Sequence, residues 1–193
     1  MHIEIEAKMK IVDMASIRER LRALGARQTG EFEETNIYFD TEDHTLKAYD
    51  QGLRIRISRD CGSDVTTVYI THKGPRSHGG LKRRSETEVH VQSAENAAAL
   101  LIELGYGPSL TFEKKREYWQ LDQTHVMLDT LPLIGPWIEI EGKTEADVIA
   151  VREQLELDDA PLIKASYAGM LRTYAIENAM REDVFRFEEV AAG

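Results

Sequence analysis

Apolar and polar positions alternate from the start of the chain, with Ile3, Ile5 and Ala7 set against Glu4, Glu6 and Lys8. Strand side chains change face at every residue. This period of two therefore predicts a strand over residues 2–12, with one aliphatic face and one face bearing two carboxylates and an ammonium. The alternation returns four times. Leu53-Arg54-Ile55-Arg56-Ile57 opposes two guanidinium groups to three aliphatics. Lys82, Arg84, Glu86, Glu88 and His90 share one face of a later segment, Lys114, Arg116 and Tyr118 share another, and Trp137-Ile138-Glu139-Ile140-Glu141 repeats the Glu-x-Glu spacing. Strands are predicted over 35–40, 53–59, 65–73, 81–91, 111–121, 126–131 and 137–141, with Asp60-Cys61-Gly62-Ser63 turning a hairpin.

Between these strands the period changes to that of a helix. Over 13–25, Ile17, Leu21 and Leu24 fall on one face, Asp13 can cap the start and Gly25 closes the end. Residues 93–104 form a second helix between Ser93 and Gly105, and 147–155 and 166–179 form two more. Lys73-Gly74-Pro75 leads into a loop with Gly79-Gly80, expected to move in the absence of ligand, and 181–193 reads as a charged tail.

A single charged strand face is what solvent exposure produces. Several such faces, with carboxylates confined to some strands and Arg or Lys to others, point to strands facing one another across a polar interior. A closed antiparallel barrel supplies that interior and leaves no bare edge. The expected fold is α+β: a closed antiparallel eight-stranded β-barrel with helices packed outside, in one domain over 1–180.

Composition narrows the function. The chain has 193 residues, enough for one domain with a substantial core. Its net charge of −10 argues against a nucleic-acid partner, so the basic residues matter locally, as a lining able to draw a small polyanion into an acidic protein. The lone cysteine, Cys61, permits no disulfide within the chain, which fits a reducing compartment. The longest apolar run, 97–102, is too short to cross a bilayer, and the N-terminal segment has no signal pattern. A soluble cytoplasmic protein without a membrane partner is expected, and a homodimer is compatible with everything above.

The first chemistry to emerge is metal binding. Glu4 and Glu6 lie about 7 Å apart along one strand face. Two carboxylates so spaced can hold one or two hard divalent cations, with Lys8 holding an anion beside them. His2, His44, His78 and His125 show no metal-ligand spacing to one another, and His72 alternates onto the opposite face from Lys73. His90 is in phase with Glu86 and Glu88 but one step further out. Trp119 and Trp137 are expected in the core, and Arg83 on the outer face. Tyr38 can face the interior or pack. Lys164 and Arg172 flank the segment that opens the chain's last helix.

With these residues in place, the chain resembles the CYTH or triphosphate tunnel metalloenzyme superfamily, which includes class IV adenylyl cyclases, thiamine triphosphatases and inorganic triphosphatases. The resemblance runs from Glu4 to about Leu171. It is carried by Glu4-x-Glu6-x-Lys8, Tyr38-Phe39-Asp40, Leu53-Arg54-Ile55-Arg56, Lys73-Gly74-Pro75, Arg84-x-Glu86-x-Glu88, Lys114-x-Arg116, Asp129 and Glu139-x-Glu141. Ser166-Tyr167-Ala168-Gly169-Met170-Leu171 resembles the Ser-Tyr-x-x-Leu-Leu segment of class IV cyclase-like members, with Met170 in place of the first Leu.

The resemblance implies a tunnel of eight antiparallel strands filled by a triphosphate and divalent metal. Lys8, Arg54, Arg56, Lys73, Lys82, Arg84, Lys114 and Arg116 would bind the phosphates. Of these, Lys8, Arg54, Arg56, Lys73, Arg84 and Arg116 would also stabilise the reacting charge. Glu4, Glu6, Glu139, Glu141 and Asp129 would be costly beside that anion unless Mg²⁺ or Mn²⁺ neutralised them. Glu86 and Glu88 would hold a second metal or orient the basic groups. The implied substrate is a nucleoside triphosphate or another triphosphate. Class IV adenylyl cyclase-like turnover of ATP to cyclic AMP and pyrophosphate leads. An inorganic or thiamine triphosphatase is the alternative, and a non-catalytic nucleotide or polyphosphate binder comes third. A barrel with an unfilled charged tunnel would be energetically poor.

Overall fold

The computed structural model describes residues 2–77, 80–181 and 183–188. His78, Gly79 of the predicted loop and the last five residues of the tail lie outside them. The strands are β1 (His2–Lys10), β2 (Arg27–Asp40), β3 (Gly52–Asp60), β4 (Thr66–Arg76), β5 (Lys82–Val91), β6 (Gly107–Leu121), β7 (Thr124–Leu131), β8 (Gly135–Gly142) and β9 (Val184–Phe185). The helices are α1 (Met14–Ala23), α2 (Thr45–Ala48), α3 (Ala94–Glu103), α4 (Glu145–Gln154) and α5 (Tyr167–Glu177).

Strands β1 to β8 form one antiparallel sheet in the order β2-β3-β4-β5-β1-β8-β7-β6, and pairing of β2 with β6 closes it into a barrel. The apolar faces of the strands turn outward. Ile5, Ala7 and Met9 of β1 pack with Val126, Leu128, Ile138 and Ile140 beneath Ile17 and Leu21 of α1 and Val148 and Val151 of α4. Ala97 and Leu101 of α3 cover Leu53, Ile55 and Val68 in the same way. The hydrophobic core thus lies between barrel and helices, and the charged alternate positions are left for the interior. The helix ends follow the sequence. Asp13 accepts from the backbone N–H groups of Ala15 and Ser16, Gly25 takes a φ of 79°, and Thr144 and Asp147 form a reciprocal capping box.

The structure departs from the sequence reading in four elements, the first being the short helix α2, which lies where the sequence pattern predicts no helix. β2 runs back to Arg27, because its polar first half pairs with β6 from Arg27↔Gln120 onward. Lys73-Gly74-Pro75 continues β4 instead of entering a loop, with a register shift between Lys73 and Arg76 that absorbs the residue lacking an N–H. Within the segment read as a tail, Val184 and Phe185 form a parallel pairing with Thr111 and Phe112 of β6. Phe185 is buried with Leu171 and Ala175 of α5.

Candidate functional site

One cavity of about 850 Å³ occupies the barrel interior. β1 contributes Glu4, Glu6 and Lys8 to its wall, β3 Arg54 and Arg56, and β4 Lys73. β5 contributes Lys82, Arg84, Glu86 and Glu88, β6 Lys114 and Arg116, and β8 Glu139 and Glu141. Fourteen of the fifteen residues singled out in the sequence therefore share one chamber. The fifteenth, Asp129, is fully buried behind the wall.

The interior is a lattice of opposite charges. Lys8 lies 3.0 Å from Glu139 and 3.6 Å from Glu6, and Lys82 lies 2.6 Å from Glu6. Lys73 bridges Glu4 at 3.1 Å and Glu86 at 2.6 Å. Arg56 meets Glu88 at 3.0 Å. Arg54 donates to Asn36 and Thr71, and the Thr71 hydroxyl donates on to Glu88 at 2.7 Å. Arg116 is shared between Asp129, with Nε 2.6 Å from Oδ1, and Glu139. Burial opposes the ionisation of Glu139 and Lys8, but their partners outweigh it. Glu139 is held well below the usual carboxylate range, chiefly by Lys8 and Arg116, and Lys8 is raised by Glu139 and Glu6.

Sequence reasoning missed one member of this lattice. Glu34 of β2 is buried 3.2 Å from Lys114. Burial raises its pKa, yet Lys114, Arg116, Arg56 and Arg54 hold it down to about 2. Glu34, Asn36 and Tyr38 do alternate, but the doublet Glu33-Glu34 obscures the phase. Tyr38 lines the cavity and stacks on Phe112, and Arg172 of α5 lines it while donating to Ser109. Trp119 and Trp137 are buried, while His72, His90 and Arg83 are exposed and stand outside the cavity wall. The Lys164 carbonyl accepts from Arg76.

Arg84 differs from the other cations. It lines the cavity, but its donors go to main-chain carbonyls, Nε to Gly74 at 2.8 Å and Nη2 to Lys73 and Asp50 at 3.1 Å each. It pins the irregular end of β4 to the turn before β3. A Cβ at Gly74 would lie 2.2 Å from the Ser85 hydroxyl, which would have to rotate away to admit it.

Two observations bear on a polyanion and a cation. Arg54 Nε, Arg56 Nε and Asn36 Nδ2 are buried donors with no acceptor among the described residues, an arrangement that added phosphate oxygens would complete. Glu141 stands outside the ion pairs. Burial and the charges of Glu4 and Glu6 push it up to about 7, with Lys73 opposing and Glu86 adding to the rise. A hard divalent cation suits this all-oxygen donor set. Among the described residues no three carboxylate, imidazole or thiol groups already converge as a metal cage. Lys73 and Lys82 stand between the carboxylates, so a metal would take over their partners.

Glu141 gives a signed prediction. An unfolded glutamate loses its proton near 4.5, whereas the folded one keeps it to about 7. The native state binds the extra proton in that window, so stability falls as pH rises from about 4.5 to about 7. Glu141→Gln should raise the Tm of metal-free protein at pH 8 and leave it nearly unchanged at pH 4.5. Calorimetry at both values checks this, and a Tm gain equal at the two would reject it. Relief of crowding falls on Glu141 and not on Glu4, whose pKa is lowered because Lys73 and Lys82 overcome its burial.

The chain belongs to the CYTH domain family, whose model matches residues 2–174. Two curated protein sequences are similar to it. The putative adenylate cyclase MJ0240 of Methanocaldococcus jannaschii is 25% identical over 86% of this chain and 96% of its own length. The adenylate cyclase CyaB of Aeromonas hydrophila is 29% identical over 81% and 77%. Among solved structures, the PH1819 protein of Pyrococcus horikoshii superposes with a TM-score of 0.75 at 28% identity, covering 89% of this chain and 99% of that one. The putative adenylyl cyclase HpAC1 of Hippeastrum, described as having a dominant triphosphatase activity, shares the fold at 15% identity and a TM-score of 0.67, covering 93% and 97%.

Proposed function

We propose that this chain is a metal-dependent enzyme that acts on a triphosphate inside the barrel, with adenylyl cyclase-like turnover of ATP as the leading reaction. One observation carries the reading. Basic side chains from β1, β3, β4, β5 and β6 converge on one chamber into which Glu4, Glu6, Glu86, Glu88, Glu139 and Glu141 also project. Lys8, Arg54, Arg56, Lys73, Lys82, Lys114 and Arg116 would exchange their carboxylate partners for phosphate oxygens. Glu4, Glu6, Glu86, Glu88, Glu139 and Glu141 would then be freed for Mg²⁺ or Mn²⁺, which supplies Lewis-acid stabilisation of the phosphoryl charge. The basic groups would orient the phosphates and offset the negative charge that builds in the transition state.

In the cyclase reaction the 3′-hydroxyl of ATP attacks the α-phosphorus and pyrophosphate leaves. In the alternative, water attacks the terminal phosphorus. The likeness to CyaB and MJ0240 favours the first, and the activity described for HpAC1 keeps the second in view. ATP, GTP, thiamine triphosphate and inorganic triphosphate should be incubated with each metal and the products separated by chromatography. Cyclic AMP with pyrophosphate supports the leading reading, orthophosphate supports the alternative, and no product from any substrate rejects both.

The grip has its own test. Arg56 is mounted on β3 beside Ile55, which is fully buried on the outer face. A fixed guanidinium fork matches phosphate oxygens in a way an ammonium does not. Arg56→Lys should therefore weaken inorganic triphosphate binding by roughly 1–3 kcal/mol despite the retained charge. Calorimetric titration is the measurement, with orthophosphate binding far more weakly than triphosphate to the wild type. Equal affinity for the two anions would mean that the basic strands do not form a triphosphate site.

A further inference from the structure

Two of the basic side chains in the chamber meet, and a third is reached through Asp129, at one residue that the charge pattern does not reveal. Tyr167 opens α5, lines the cavity and is 7% exposed. Its ring centroid lies 4.1 Å from Lys8 Nζ and 5.7 Å from Lys114 Nζ. Its hydroxyl donates to Asp129 Oδ2 at 2.8 Å, and Asp129 in turn clasps Arg116. The edge of the ring is fixed by a T-shaped contact with Trp137.

The segment before the helix completes the attachment. The Ala165 carbonyl accepts from Lys8 Nζ at 3.1 Å, and the Ile163 N–H donates to the Lys8 carbonyl at 2.8 Å. We propose that Tyr167 is a positioning residue of the phosphate grip, its ring carrying the Lys8 ammonium and its hydroxyl locking the Asp129–Arg116 pair.

The physics separates this role from plain packing. An ammonium over a desolvated aromatic face is attracted by the ring quadrupole. That attraction fixes direction without neutralising charge, whereas a third carboxylate beside Glu139 and Glu6 would compete further with an anion for Lys8. Burial and the charges of Asp129 and Glu139 raise the Tyr167 pKa well above 10, so the phenol remains a donor at every working pH. Leucine at this position would fill much of the same volume but offer neither platform nor donor.

The test is a double-mutant cycle on inorganic triphosphate binding by the full chain, read by calorimetry. The binding arm rests on the triphosphate reading. Tyr167→Phe keeps the platform, and Tyr167→Leu removes it. The dissociation constant of the Leu variant should exceed that of the Phe variant by about fivefold to thirtyfold, the range from an exposed to a desolvated cation–π contact. In a Lys8→Met background the same difference should shrink to about twofold or less. A Phe-to-Leu difference that is the same in both backgrounds, or is absent while Tm falls, overturns the proposal.

A second measurement needs neither the Leu variant to fold nor a ligand. In wild-type protein the Lys8 Cε protons should be shifted upfield by the ring current of Tyr167. Lys8 resonances at the positions of a free lysine would overturn the inference directly. If wild-type protein binds no triphosphate, the function reading fails, and the Lys8 shift still decides the placement of the ring.

Discussion

Glu4→Gln should lower turnover on the order of 10²–10³-fold at saturating Mn²⁺ while leaving the protein folded. That scale is typical of removing one preorganised electrostatic group from an active site. The fold survives because the substitution keeps the side chain's size, and because Lys73 retains Glu86 at 2.6 Å when Glu4 loses its charge. Glu6→Gln should have the same effect on turnover at a greater cost in stability. Glu6 is the ion-pair partner 2.6 Å from Lys82, and both are buried in the barrel. The two variants share a loss of metal-supported activity and differ in Tm, which a general unfolding effect would not produce. Circular dichroism, calorimetry and initial rates across a Mn²⁺ titration make the measurement. Unchanged turnover in both variants at saturating metal would remove these carboxylates from the site.

What the sequence disclosed follows from the physics of alternation. Along β1, β3 and β8 charged residues alternate with apolar ones, and along β5 they alternate with Ser85, Thr87, Val89 and Val91, so strand identity, the two faces and the polar interior can all be read directly. The first half of β2, Arg27-Gln28-Thr29-Gly30-Glu31, has no aliphatic stripe because no helix covers it. Its strand state comes from long-range pairing with β6, which local pattern cannot report. Gly74 and Pro75 are turn residues by local preference, yet the backbone there stays extended because Arg84 collects the nearby carbonyls. The two-residue β9 makes only two register pairs, too few to leave any periodicity. The site was legible in residue type and less so in role. Arg84 and Arg116 look alike in sequence, but one holds main-chain oxygens and the other a buried carboxylate. Tyr167 carries no charge, so a reading based on charged faces passes over it.

Asp129 shows how large that difference in role becomes. The family resemblance groups it with the metal-binding carboxylates, whereas its geometry is that of a bracket. It is fully buried, Oδ1 accepts from Arg116 Nε at 2.6 Å, and Oδ2 takes a second Arg116 nitrogen and the Tyr167 hydroxyl. Lys114 Nζ stands 3.6 Å from Oδ1. Breaking a buried ion pair from one side leaves the other charge without compensation, at a cost of about 3–5 kcal/mol. Asp129→Asn should therefore destabilise the protein by that amount, lowering Tm by roughly 10 °C for a chain of this size. Arg116 keeps Glu139 as a partner, which argues for the lower part of the range. Metal affinity, in contrast, should change far less than in Glu4→Gln, because Asp129 lies behind the residues that line the chamber, with Arg116 and Tyr167 on its carboxylate. Thermal unfolding and isothermal Mn²⁺ titration of the two variants side by side separate bracket from ligand. An Asp129→Asn protein with wild-type Tm and abolished metal binding would return this carboxylate to the metal set.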